Sequence, residues 1–240
     1  MMDSRTRTFQ LPVAADLIWG AGLTALLVAA AGIGWQISAG LYGIAALLYL
    51  AIALPVICRW PSGRDFGWAN RATLVRAAMV VLLVSLAPFI ARLDNWLWLY
   101  GALCLFALVL DGVDGAIART THSTTAFGAR FDMELDALFI LGLCVAVLAL
   151  EKAGAWVLAL GLMRYAFVAA GHWLTFMNQP LPESFRRKTV CVWQVVTLMI
   201  AILPVTSAAF ANWTLAIALA LLCYSFSTDL RWLYQTGRQP

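Results

Sequence analysis

Four aspartates crowd one short stretch of a chain that is otherwise overwhelmingly apolar. Asp111, Asp114, Asp132 and Asp136 lie within D-G-V-D-G-A-I-A-R-T-T-H-S-T-T-A-F-G-A-R-F-D-M-E-L-D, which holds five of the chain's twelve acids. A charged carboxylate in a bilayer-spanning helix costs roughly 2.5–3.5 kcal/mol even on insertion scales. A chain that keeps four together is expected to neutralise them. Hard oxygen ligands suit Mg²⁺, Mn²⁺ or Ca²⁺ rather than zinc. Two such ions about 3.5–4 Å apart form a clamp for displacement at phosphorus.

The spacing says what must position these groups. Asp111, Asp114, Gly115 and Ala118 follow i, i+3, i+4, i+7, one face of a helix. Asp132 and Asp136 are i, i+4, with Gly128 one turn earlier. The polar segment 120–127 joins the two as a helical hairpin, so the carboxylate pairs can converge. Glu134 falls about 200° round the helix from Asp132 and is left out of the site. Gly115 and Ala118 are small, so a bulky ligand can approach the backbone, and Arg119 offers a fork for a phosphate.

The rest of the chain is membrane-like. Its 240 residues are 63% hydrophobic and 12% charged, against roughly 45–50% and about 25% in soluble domains. Eight apolar runs are long enough to span, about 20 residues being needed: roughly 16–35, 38–58, 73–93, 95–117, 130–150, 153–176, 189–208 and 210–229. Continuous runs without period-two alternation favour helices over a barrel. The expected fold is therefore all-α, a polytopic bundle of about eight transmembrane helices. The first run is too long, and too soon followed by another, for a signal peptide.

With the N-terminus in the cytoplasm, thirteen of the sixteen basic residues fall on inside segments. Only Arg92 and Lys152 fall outside, and Arg164 within a span. This bias puts the aspartates at the cytoplasmic face. The net charge of +4 is then a topology signal, and no nucleic-acid partner is expected. The five cysteines form no C-x-x-C pair, so neither a zinc site nor a redox motif is indicated.

The pattern Asp111-x2-Asp114-Gly115-x2-Ala118-Arg119-x8-Gly128-x3-Asp132-x3-Asp136 resembles the signature of the CDP-alcohol phosphatidyltransferases at all nine fixed positions. Upstream, Asn70-x2-Thr73-x2-Arg76 resembles the polar start of that family's first core helix. The resemblance covers roughly 66–230. It implies a six-helix catalytic core, placed within 61–240; the N-terminal helix pair (1–60), read from the apolar runs, falls outside it. It implies transfer of a phospho-alcohol unit from a CDP-alcohol to an acceptor hydroxyl, with release of CMP, in phospholipid synthesis. By the same resemblance Asp111, Asp114 and Asp132 hold one Mg²⁺ or Mn²⁺, Asp111, Asp132 and Asp136 hold a second, and Asp136 is the general base. Asn70, Thr73, Gly115, Ala118, Arg119, Thr125 and Gly128 then line the CDP-alcohol site. No serine or cysteine nucleophile stands out near the aspartates, which favours direct in-line displacement.

Arg186, Arg187 and Lys188 precede the seventh run and read either as a surface anchor or as a site for an anionic headgroup acceptor. Arg164 lies within the sixth run, where an ionisable group is a functional hypothesis by default. CDP-diacylglycerol is the expected donor, in a bacterial cytoplasmic membrane; a CDP-linked headgroup delivered to diacylglycerol stays open. Homodimers occur in the family, and no feature of this sequence bears on that. Two other readings compete. A Mg²⁺-dependent membrane prenyltransferase would carry two separated acidic motifs, but no second one occurs in 140–240. A non-catalytic metal-binding membrane protein or carrier would spread polar groups through the midplane of several helices.

Overall fold

The computed structural model describes residues 11–59, 66–120, 126–179, 181–182 and 184–236, and at 11–12, 59, 68–69, 113–120, 126–127, 175 and 178 the backbone alone. Among these residues the chain is all-helical, without strands. Eight α-helices follow one another: α1 (Leu11–Gly34), α2 (Gly40–Arg59), α3 (Gly67–Leu86), α4 (Leu97–Thr120), α5 (Ala126–Ala149), α6 (Leu158–Trp173), α7 (Phe185–Ile202) and α8 (Ala208–Thr236).

Helix ends do not coincide with hydropathy ends. The third run was expected at 73–93, yet α3 starts at Gly67 and stops at Leu86. A 3-10 helix then occupies Ala87–Trp96, with a proline in its first turn. Pro88 has no N–H to give a preceding carbonyl, and its ring crowds the turn before it. At the other end Gly67 has φ +78°, a conformation that suits glycine and lets the chain turn into α3. α7 begins at Phe185, so Arg186, Arg187 and Lys188 are its first turn rather than a loop before it.

Among the described residues five stretches are long and apolar enough to cross a membrane: Val13–Gly34, Gly40–Cys58, Asn70–Gly112, Ala155–Trp173 and Ala208–Thr236. The third, 43 residues long, contains most of α3 and most of α4. α5 and α7 fall short by this measure because their N-terminal parts are charged, at 130–136 in α5 and 186–188 in α7. Only 137–149 and 189–202 remain as uncharged stretches in them. Chains with such stretches are integral to the membrane.

The residues form two compact units, 1–85 with 106–135 and 86–105 with 136–240. In the first, the core gathers Val13, Leu17, Ala53, Val56, Phe66 and Leu74, with Tyr49 and Phe131 packed against it. α1 and α2 form an antiparallel pair, and Tyr49 donates its hydroxyl to the Leu17 carbonyl at 2.5 Å. In the second, α7 and α8 lie along each other. Gln194, buried on α7, donates to the Leu160 carbonyl of α6 at 2.8 Å. A Cβ on Gly161 would sit 2.8 Å from the Leu141 backbone, so α5 and α6 approach more closely there than a side chain would allow. In the α5–α6 connection Lys152 donates to the Leu203 carbonyl at 2.5 Å; partial burial lowers its pKa from the ordinary lysine value.

Candidate metal and phosphate site

The expected convergence is present for the aspartates whose side chains are described. Asp111 lies on α4, and Asp132 and Asp136 lie one turn apart on α5. Each is half-buried, and one carboxylate oxygen from each lies within 4.8 Å of the others. Three hard oxygen donors at that separation fit a single Mg²⁺- or Mn²⁺-sized ion, with room for water or substrate oxygens to complete six ligands. Glu134 is exposed on α5.

Sequence spacing left one member of the cluster with little weight. Arg76, on α3, is 2% exposed. Its guanidinium forms ion pairs with Asp111 and with Asp132. A buried arginine needs such partners, since an uncompensated charge away from water is costly. The two carboxylates keep 32% and 43% of their side-chain surface, so the cluster is buried at the arginine and open at the acids. Arg76 is thus a fixed counter-charge that ties α3 to both acidic helices. The signal was present at i+3 from Thr73 and i+6 from Asn70, but its partners, 35 and 56 residues on, cannot be read from spacing.

Asn70 and Thr73 lie on the same helix. Thr73 is buried, and Asn70 donates its side-chain amide to the Phe66 carbonyl at 2.5 Å, closing the first turn of α3. Gly128 lies one turn before Asp132 on α5 and is half-buried. The backbone of Asp114, Gly115, Ala118 and Arg119 is helical within α4, one to two turns beyond Asp111. Their side chains, and the whole of Thr125, lie outside the described residues.

The basic run forms a second polar cluster. Arg186 donates to Asp229 and to the Ser225 carbonyl, both at 2.5 Å. Arg187 reaches the other oxygen of Asp229 at 3.8 Å and donates to the Pro182 carbonyl. Asp229, on α8, is 8% exposed, and the sequence reading gave it no role. A lone acid near the end of an apolar run calls for a partner, but which cation it takes depends on how α7 lies against α8. Two arginines thus face the one carboxylate of Asp229. Arg164 is half-buried on α6.

Residues 66–224 match the family described as CDP-alcohol phosphatidyltransferase. The chain is also similar to proteins named ethanolaminephosphotransferase 1 from Homo sapiens and Pongo abelii, 45% identical to each over 51 residues. That match covers 21% of this chain and 13% of those relatives. No solved structure matches the chain.

Proposed function

The chain belongs to the CDP-alcohol phosphatidyltransferase family, and on that premise we propose a specific reaction for it. It transfers a phosphatidyl group from CDP-diacylglycerol to the hydroxyl of an anionic or polar alcohol and releases CMP. The observation that carries the reading is the convergence of Asp111, Asp132 and Asp136 within 4.8 Å on two helices. With Asp114 they would hold two Mg²⁺ or Mn²⁺ ions, Asp111 and Asp132 contributing to both. Bound there, such ions supply charge neutralisation for the diphosphate and acidify a nearby hydroxyl.

The chain's own residues do the rest. Asp136 accepts the acceptor's proton. A carboxylate is a weak base for a free alcohol, and the transfer becomes feasible only where the hydroxyl is already acidified. Arg76 holds Asp111 and Asp132 in place. Asn70, Thr73, Gly115, Ala118, Arg119, Thr125 and Gly128 surround the CDP moiety. Arg186, Arg187, Lys188 and Arg164 attract an anionic acceptor. In this reading α5 and α7 also cross the bilayer, for eight spans. The site faces the cytoplasm of a bacterial cell, where the positive-inside bias puts it. Residues 1–60 form a separate helix pair ahead of the 61–240 core.

The named relatives support a second reading, in which phosphoethanolamine from a CDP-linked headgroup is delivered to a lipid hydroxyl. The positive cluster at α7 favours the first, because it suits an acceptor that brings its own negative charge. A metal-dependent CMP-release assay decides between them. The purified protein is offered CDP-diacylglycerol with a panel of alcohols, or CDP-ethanolamine with diacylglycerol, and the lipid product is identified by mass spectrometry. CMP from CDP-diacylglycerol alone supports the first reading. CMP from CDP-ethanolamine alone replaces it, and none from either sinks both.

A further inference from the structure

The family match begins at residue 66, which leaves α1 and α2 outside it. These helices nevertheless meet α3 through polar and close-packed contacts. Asp16 on α1 accepts a two-pronged hydrogen bond from Arg71 on α3, Nε to Oδ1 at 2.9 Å and Nη2 to Oδ2 at 3.3 Å. One turn further along α1 is Gly20. A Cβ there would lie 2.7 Å from Cδ2 of Leu74 on α3 and 2.9 Å from the Tyr49 hydroxyl on α2. Three helices therefore meet at a residue that has no side chain. Around this junction lies the apolar cluster of Val13, Leu17, Val56 and Leu74, with Phe131 packed against it. Phe131 immediately precedes Asp132.

Arg71 and Leu74 alternate along α3 with Asn70, Thr73 and Arg76. At 100° per residue the two sets occupy adjoining faces of the same two turns. Whatever fixes the rotation and height of one face fixes those of the other. A membrane anchor alone would need only apolar residues, whereas an aspartate and an arginine within spanning stretches are costly unless they do something.

We propose that the α1–α2 pair is a brace for the catalytic unit. It sets the rotation of α3, with Asp16 and Gly20 as its positioning residues. The proposal rests on the reading of α3 as a wall of the CDP-alcohol site. Asp16 and Gly20 touch neither substrate nor metal; they act through α3.

The test uses the full-length protein in detergent or nanodiscs. Asp16→Asn, Gly20→Val and the exchanged pair Asp16→Arg with Arg71→Asp are compared with the parent, and Asn70→Ala serves as a control on the pocket. Asp16→Asn is expected to raise the donor KM about fivefold, the factor equivalent to about 1 kcal/mol for a partly exposed ion pair. The acceptor KM stays within about twofold on the same scale. Amide hydrogen exchange across 67–76 speeds up, as local opening becomes easier. Gly20→Val pushes both readouts the same way, and the exchanged pair restores both. If Asn70→Ala raises the donor KM while Asp16→Asn and Gly20→Val do not, the brace is overturned and the pocket reading stands. If Asn70→Ala has no effect, the pocket reading fails. The brace is then judged on hydrogen exchange, and unaltered exchange in α3 overturns it. A uniform loss of stability with donor and acceptor KM moving together, not rescued by the exchanged pair, also overturns it.

Discussion

Replacing Arg76 by methionine tests whether the site is built as a charge-balanced cluster. The substitution keeps a flexible apolar stem and removes the cation that lies between Asp111 and Asp132. Their facing oxygens lie within 4.8 Å of each other. Two like charges at that distance repel by about 0.9 kcal/mol at the dielectric of water and about 3.5 kcal/mol at an effective value of 20. The carboxylates are 32% and 43% exposed, so solvent screening pulls the figure toward the lower end, about 1–2 kcal/mol. An opposing effect exists: removing a buried guanidinium also recovers its desolvation cost. That recovery is the same with and without divalent ions, so it cancels from the difference between the two conditions. The measurement is therefore the apparent unfolding midpoint at a fixed scan rate, in EDTA and in saturating Mg²⁺. For a chain of this length about 1 kcal/mol moves the midpoint by roughly 2–4 °C. The Mg²⁺-minus-EDTA difference should exceed the parent's by about 2–8 °C, because a bound cation takes over the guanidinium's electrostatic role. Arg76→Lys should fall between. If the variant gains no extra stabilisation from Mg²⁺, the carboxylates are not a shared cation site and the argument fails.

Three other outcomes are expected. Asp136→Asn should cut transfer by about 10²–10⁴-fold, the usual worth of a general base, while CDP-alcohol binding measured by calorimetry persists; unchanged turnover refutes the base assignment. Asp111→Ala should abolish both activity and its stimulation by Mg²⁺ in a CMP-release assay, and a variant still stimulated by Mg²⁺ counts against shared coordination. Replacing Arg186, Arg187 and Lys188 together by glutamine should raise the KM of an anionic acceptor about tenfold or more, since each hydrogen bond to a charged group contributes about 1.5–3 kcal/mol. The donor KM should change little, and equal changes in both would mark the run as an anchor only.

The primary sequence alone carried the family, the all-helical class, the membrane setting and the phase of the acidic residues. Each of these is local. Asp132 and Asp136 share a face because an α-helix turns once in 3.6 residues, whatever surrounds it. Glu134 points elsewhere for the same reason. The apolar runs located the helices but not their ends, because a polar first turn such as 186–188 is still helical, and a proline at residue 88 ends α3 inside an apolar run. The partners were decided only in three dimensions. Arg76 with Asp111 and Asp132, Asp16 with Arg71, and Arg186 with Asp229 are separated by 35 to 56 residues. A helical segment that is apolar nearly all round, such as 77–86 of α3, carries no stripe to say which face meets which neighbour. Rotation and register between helices come from packing, from where a glycine lets two backbones close and where a buried charge finds its opposite. Those are properties of the assembled chain, and no single segment contains them.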